Sequence, residues 1–202
     1  MHPEAIHFTT FVKSQFTDYF KDKKVIDIGG SDVNGNNRFL FENCDYSAND
    51  VVYAPNVTIV SKTKDLPFPD NTFDVIISTE CFEHDSEYTQ SFTKIYQMLK
   101  PSGLFCFTCA SIGRPEHGTR RTTPAVSYGT LGMLKDMQDY YKNLTIEDVN
   151  QVLNLNSSFV LWRSYYNSST KDLYFYGIKN GEALENIPIE YSASSVVSTT
   201  FK

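Results

Sequence analysis

No stretch of the 202-residue chain is apolar for the roughly 18 residues that a membrane-crossing helix requires. The N-terminal MHPEAIHFTTFVKSQF has neither the basic start nor the apolar centre of a secretory signal. A soluble, cytoplasmic chain without a membrane span is the expectation. Positive charge is also short: 18 Lys and Arg against 24 Asp and Glu leave a net charge of -6. That balance disfavours a protein that holds nucleic acid chiefly by neutralising phosphates, and a small or uncharged partner is favoured. Cysteine is sparse, at Cys44, Cys81, Cys106 and Cys109 only. Cys106 and Cys109 form a CxxC, but GLFCFTCAS reads as a buried strand, where side chains three apart point to opposite faces. No metal is expected there, and a thioredoxin-like pair would instead open a helix.

The common nucleotide fingerprints are missing too. A dinucleotide turn needs GxGxxG, whereas the run here is Gly29, Gly30, Ser31, Asp32, Val33, Asn34, Gly35. No GK[ST] follows, so a P-loop is excluded. No [ND]PP[YFW] follows the fourth predicted strand, which disfavours methylation of exocyclic base amines.

What the chain does contain is helix and strand in alternation. Ile6, Phe8, Phe11, Val12, Phe16, Tyr19 and Phe20 recur at helical spacing and predict a leading helix over residues 4 to 20. Strands are predicted at 24–28, about 42–46, about 57–61, 73–78 and 103–109. Between the last two, SEYTQSFTKIYQMLKPSG predicts a helix capped by Ser86 and stopped by Pro101 to Gly103. Near-continuous apolar strands such as VIDI and FDVIIS, joined through helices, predict a parallel sheet covered on both faces. SSFVLWRSYYN and KDLYFYGIKN predict an antiparallel hairpin at the sheet edge. Residues 1–180 form the expected domain. The Ser- and Thr-rich segment 181–202 is expected to be mobile or recruited by a neighbour.

A turn straight after a buried strand brings backbone amides to a ligand, and Gly29 and Gly30 put no side chain in its way. Asp27 closes the first strand. Asp45, taken as closing the second, stands where a Rossmann-type site places the acid that holds ribose hydroxyls. The ordered pieces VIDIGGSDVNG, CDYS, KDLPFPDNTFDVIISTECFEHD and MLKPSGLFCFTCAS resemble a class I S-adenosylmethionine-dependent methyltransferase of the methyltransferase type 11 family.

The resemblance, over about residues 24 to 112, implies a Rossmann-like α/β fold with a seven-stranded, mostly parallel sheet of order 3-2-1-4-5-7-6 and an antiparallel last strand. It implies S-adenosylmethionine as cofactor and S-adenosylhomocysteine as product. Asp27, Ile28, Gly29, Gly30 and Ser31 would border the aminoacyl group, Asp45 and Tyr46 the ribose, and Thr63, Lys64, Asp65 and Leu66 the adenine. Ser78, Thr79 and Glu80 would face the donor methyl. Two positions depart from the family pattern: Ser31 replaces its second glycine, and Lys62 replaces an acid.

Methyl transfer needs an aligned nucleophile and a proton acceptor above the carboxyl ends of the fourth and fifth strands. His84 follows the fourth strand. His117 follows the fifth, in a loop that also carries Arg114, Glu116, Arg120 and Arg121. His117 is the expected base, His84 its rival, Glu80 a further catalytic candidate and Arg114 a clamp for an anionic or polyhydroxylated acceptor. This loop and DYYKNLTIEDV resemble methyltransferases of bacterial and viral surface glycans, with Asp139, Tyr140 and Tyr141 as lid candidates and a capped helix at residues 146–153. The expected activity is O-methylation of a sugar, glycan precursor or other small hydroxylated acceptor. N-methylation, RNA or protein modification, and a catalytically silent partner subunit are the alternatives, and a homodimer is left open.

Overall fold

The computed structural model describes residues 2–184 and 186–200. Eight strands form one sheet of order β3-β2-β1-β4-β5-β7-β6-β8. They are β1 Lys24–Ile28, β2 Asp45–Asp50, β3 Ile59–Val60, β4 Phe73–Thr79, β5 Leu99–Ala110, β6 Phe159–Asn167, β7 Asp172–Lys179 and β8 Val196–Ser198. The helices are α1 Pro3–Gln15, α2 Tyr88–Met98, α3 Tyr128–Leu131, α4 Ile146–Leu153 and α5 Leu155–Ser158. The first five strands run parallel, and β7 inserts antiparallel between β5 and β6. The expected order therefore stands, with β8 added antiparallel outside β6.

Alternation along the central strands loads both faces with apolar side chains. Ile26, Ile28 and Ile76 pack with Phe92, Ile95, Met98, Ile146 and Val149 under α2 and α4. Val25, Val75 and Ile77 face Phe8 and Val12 of α1. Cys106 falls in the second cluster and Cys109 in the first, on opposite faces as strand geometry requires, and both thiols are free.

Several boundaries move for local reasons. α1 stops at Gln15 and a 3-10 turn takes Thr17–Phe20, so Ile6 stays 36% exposed while Ala5, Phe8, Thr9 and Val12 face inward. Ser86 does not cap α2. The helix has no side-chain cap; ahead of it Asp85 accepts from the Glu87 amide at 2.8 Å and from Ser91 Oγ at 2.5 Å. The helix ends at Met98 and the chain enters β5 at once, so Pro101 to Gly103 lie inside the strand. The final segment is docked rather than free: Tyr191 is buried against Phe8, Phe11 and Tyr165, and β8 pairs with β6.

β2 is displaced at both ends. It begins at Asp45, level with Lys24 at the start of β1, and ends at Asp50, beyond the level of Ile28. Asp45 thus sits at the opposite end of the strand from the glycine turn.

Candidate functional site

At the carboxyl ends of β1, β2 and β4 lies a cavity of about 400 Å³. Open α/β sheets bind ligands in this crevice, where the strand order reverses. β1 delivers Asp27 to its wall and then turns at Gly29 and Gly30. Gly29 has φ +67°, and a Cβ there would stand 2.4 Å from Cys81 Sγ, so a side chain is excluded on both counts. The Gly30 amide donates to the Asn49 carbonyl at 2.9 Å, and its own carbonyl accepts from Asn56 Nδ2 at 2.6 Å, which ties the turn to the end of β2.

Asp27 is buried and accepts from Tyr46 Oη at 2.5 Å and from Asn37 Nδ2 at 3.1 Å. Burial nevertheless pushes its carboxyl up to about 6 against the pull of those bonds. The acid that β2 presents to the cavity is Asp50, not Asp45. Burial raises its carboxyl as well, opposed by hydrogen bonds from Ser31 and the Val51 amide. Asp45, expected at the ribose, lies outside the cavity: its side chain is 71% exposed and stands 3.9 Å from Lys24 Nζ. Tyr46 contributes through its bond to Asp27 rather than as a lining group.

Thr63 lines the cavity from a 3-10 turn. Its neighbours do not: Lys64 pairs with Asp65 and Glu87 at the surface, and Leu66 is core. Lys62 is held by Glu87 and Asp136. Ile28 and Ser78 are buried supports, with Ser78 Oγ donating to the Ile28 carbonyl at 2.8 Å. Thr79 and Glu80 reach the cavity.

The opposite wall comes from the loop after β5 and from residues 126–137. Arg114, His117, Thr123, Ser127, Gly129 and Met137 line it. Gly118, at φ +69°, lets the backbone pass where a Cβ would lie 2.6 Å from His84 Cε1, and this brings His117 beside His84. The two rings meet edge to face at 5.1 Å, with the Tyr141 ring 5.0 Å from His117. Burial lowers the His84 imidazole to about 4, helped by His117. Beneath them Glu83 is buried, and burial and Glu80 push its carboxyl well up.

Other expected roles are reassigned by the geometry. Arg114 Nη1 is committed to Asp172 Oδ1 at 3.0 Å and the Thr170 carbonyl at 2.6 Å, so the clamp is partly spent inside the protein. Arg120 and Arg121 pair with Asp139 and Glu116 on the surface. Asp139 is therefore not a lid over the cavity, and of the three lid candidates Tyr141 alone contacts the histidines.

Sequence reasoning missed His2, which reaches Asp172 at 3.0 Å and Glu80 at 3.3 Å. Burial lowers its imidazole, but these two partners outweigh that and hold it up to about 10. Only its place before Pro3, at the mouth of α1, hints at this in the sequence.

Residues 14–107 match a family model described as methyltransferase domain. A curated relative, the mitochondrial arginine-hydroxylase NDUFAF5 of Rattus norvegicus, is 35% identical over 51 residues, 25% of this chain and 15% of that protein. A solved Haemonchus contortus phosphoethanolamine N-methyltransferase 2, in complex with phosphomonomethylethanolamine and S-adenosylhomocysteine, superposes at TM-score 0.58 and 14% identity. That similarity covers 86% of this chain and 53% of the nematode enzyme, so the chain spans about half its length. The Burkholderia thailandensis 1,6-didemethyltoxoflavin-N1-methyltransferase, with its substrate and S-adenosylhomocysteine, gives TM-score 0.54 at 15% identity over 88% of this chain and 91% of its own.

Proposed function

We propose that the chain is an S-adenosylmethionine-dependent methyltransferase of the class I kind, a reading supported by the match of residues 14–107 to a methyltransferase-domain model, and that it methylates a hydroxyl of a small, polyhydroxylated acceptor such as a sugar. One observation carries this reading: a single cavity joins the glycine turn and Asp50 to a pair of imidazoles on the far wall. The donor lies along the first side, its aminoacyl group at Asp27, Gly29 and Ser31 and its ribose at Asp50. Thr63 borders the adenine. Thr79 and Glu80 stand toward the donor methyl.

Transfer is an in-line displacement. The acceptor oxygen forms a bond to the methyl carbon as the carbon–sulfur bond breaks, and that electron pair leaves with sulfur to give the thioether S-adenosylhomocysteine. The hydroxyl proton passes to the imidazole pair, with His117 the more open of the two and His84 behind it. Such a positioned base contributes about 10² to 10⁴ in rate. Arg120 and Arg121 are paired with acids, which leaves this loop less suited to the phosphates of an RNA acceptor.

The test is an acceptor screen with labelled donor, followed by the two histidine variants. His117→Ala is expected to slow turnover by about 10² or more while donor affinity stays within about twofold, because the donor is held by the other wall. Turnover equal to wild type in both His117→Ala and His84→Ala would remove proton acceptance from this pair.

A further inference from the structure

At the acceptor wall of the cavity three side chains converge, and two of them, Glu83 and His84, carry buried polar atoms without hydrogen-bond partners among the described residues. Glu83 is 0% exposed, yet neither carboxylate oxygen has a hydrogen-bond partner of good geometry among the described residues. The amides of Glu83 and Ala110 lie near enough only to oppose the effect of burial. His84 Nδ1 is likewise buried without a partner. His117 Nε2 stands 3.8 Å from Glu83 Oε1, and one ligand atom from each of the three lies within 4.8 Å of the others. A buried carboxylate and imidazole left unpaired are costly, and a cation placed among them would satisfy all three groups at once.

We propose that Glu83, His84 and His117 hold one divalent cation of the zinc or ferrous type. Two imidazole nitrogens and one carboxylate oxygen suit such ions better than magnesium or calcium, which prefer all-oxygen sets. Three protein ligands leave an open position, and His84 and His117 both line the cavity, so that position is accessible to a ligand there. The loop is shaped for the purpose: a side chain at Gly118 would strike the His84 ring and hold His117 away from it.

His2, Glu80 and Asp172 make a second cluster of suitable atoms. They already pair with one another, and Arg114 occupies Asp172, so an ion there would have to break existing contacts. The first cluster has only the long His117–Glu83 approach and the amides of Glu83 and Ala110 beside the carboxylate, which a carboxylate oxygen bound to an ion can keep.

The ion deepens the methyl-transfer reading and rests on it for its chemistry, though not for its binding. Coordination of the acceptor hydroxyl at the open position would favour loss of its proton to water. With the ion bound, His84 and His117 serve as ligands and water replaces them as the proton acceptor; without it, the imidazole pair keeps that role.

The test is titration of the chelator-treated full chain with Zn²⁺ by calorimetry and with Co²⁺ by visible absorption. Wild type is expected to take up one equivalent of each. Glu83→Gln and His117→Ala are each expected to weaken binding by more than about 100-fold, since outer-sphere partners alone are worth about 10- to 100-fold. His117 sits on a loop, so its variant keeps the fold, checked by circular dichroism and by unchanged S-adenosylhomocysteine affinity. His7→Ala, remote from the cavity and bonded to Tyr191, is expected to bind as wild type does. No uptake by wild type, or equal uptake by Glu83→Gln and His117→Ala, would overturn the site. Cation uptake by a chain that fails to bind S-adenosylhomocysteine would uphold the site and count against the methyl-transfer reading alone.

Discussion

Asp27 carries a charge that the fold makes expensive. Its carboxyl is packed beneath the glycine turn with Tyr46 and Asn37 donating to it and Asp50 as the facing acid, and burial lifts it to about 6 from 3.8. Between those values the folded chain binds a proton that the unfolded chain does not. Asp27's contribution to stability is therefore present at low pH and is lost as pH rises through about 6. Donor binding runs the other way, because the ammonium of the aminoacyl group favours the carboxylate. S-adenosylhomocysteine affinity is expected to fall by up to about tenfold per pH unit below 6, and Asp27→Asn to flatten that profile. Calorimetry on either side of this value checks it. A wild-type profile as flat as that of Asp27→Asn would move the aminoacyl contact to another group.

Among the elements, α4 is the one whose local code and packing agree most fully. Thr145 Oγ1 accepts from the Asp148 amide, and the Asp148 carboxylate accepts from the Thr145 amide at 2.9 Å, closing a capping box. Ile146, Val149 and Leu153 then turn inward against the sheet. Thr145→Ala is expected to cost about 0.5–2 kcal/mol in thermal or urea unfolding, with no loss of donor affinity, since the helix lies outside the cavity lining. The bounds 146–153 were legible in NLTIEDV for this reason. β1 and β4 were legible because VIDI and FDVIIS must be buried on both faces. β2 was not: its residues Asp-Tyr-Ser-Ala-Asn-Asp lack an apolar run, so nothing local shows that Asp45 opens the strand rather than closing it. Parallel pairing with β1 decides the register, and that is a long-range contact the local sequence does not encode.

At the scale of the whole molecule, the sheet gathers groups that are far apart in the chain. Asp27 and Gly29 come from the first strand and turn, Asp50 from the second strand, His84 from beyond the fourth, and Arg114 and His117 from beyond the fifth. The order of the motifs made the crevice predictable, and the loop from 112 to 124 does stand over it. His2 and Glu83 were not legible: one precedes the leading helix and meets the cavity only through the topology, and the other reads as part of a turn until its burial is known. β8 and Tyr191 escaped for a related reason, since Ser- and Thr-rich composition does not reveal that two or three apolar residues dock on α1 and β6. Among the described residues, no helix is long and apolar enough to cross a membrane, in line with the apolar runs of the sequence.

The central claim is that S-adenosylmethionine occupies this cavity with its ribose on Asp50. The most direct measurement is calorimetric titration of S-adenosylhomocysteine into wild type, Asp50→Ala and Asp45→Ala. Wild type is expected to bind one equivalent, Asp50→Ala to lose about 1.5–3 kcal/mol for a hydrogen bond to a charged group, and Asp45→Ala to match wild type. Absence of binding to wild type would contradict the account, as would weakened binding in Asp45→Ala with Asp50→Ala unchanged.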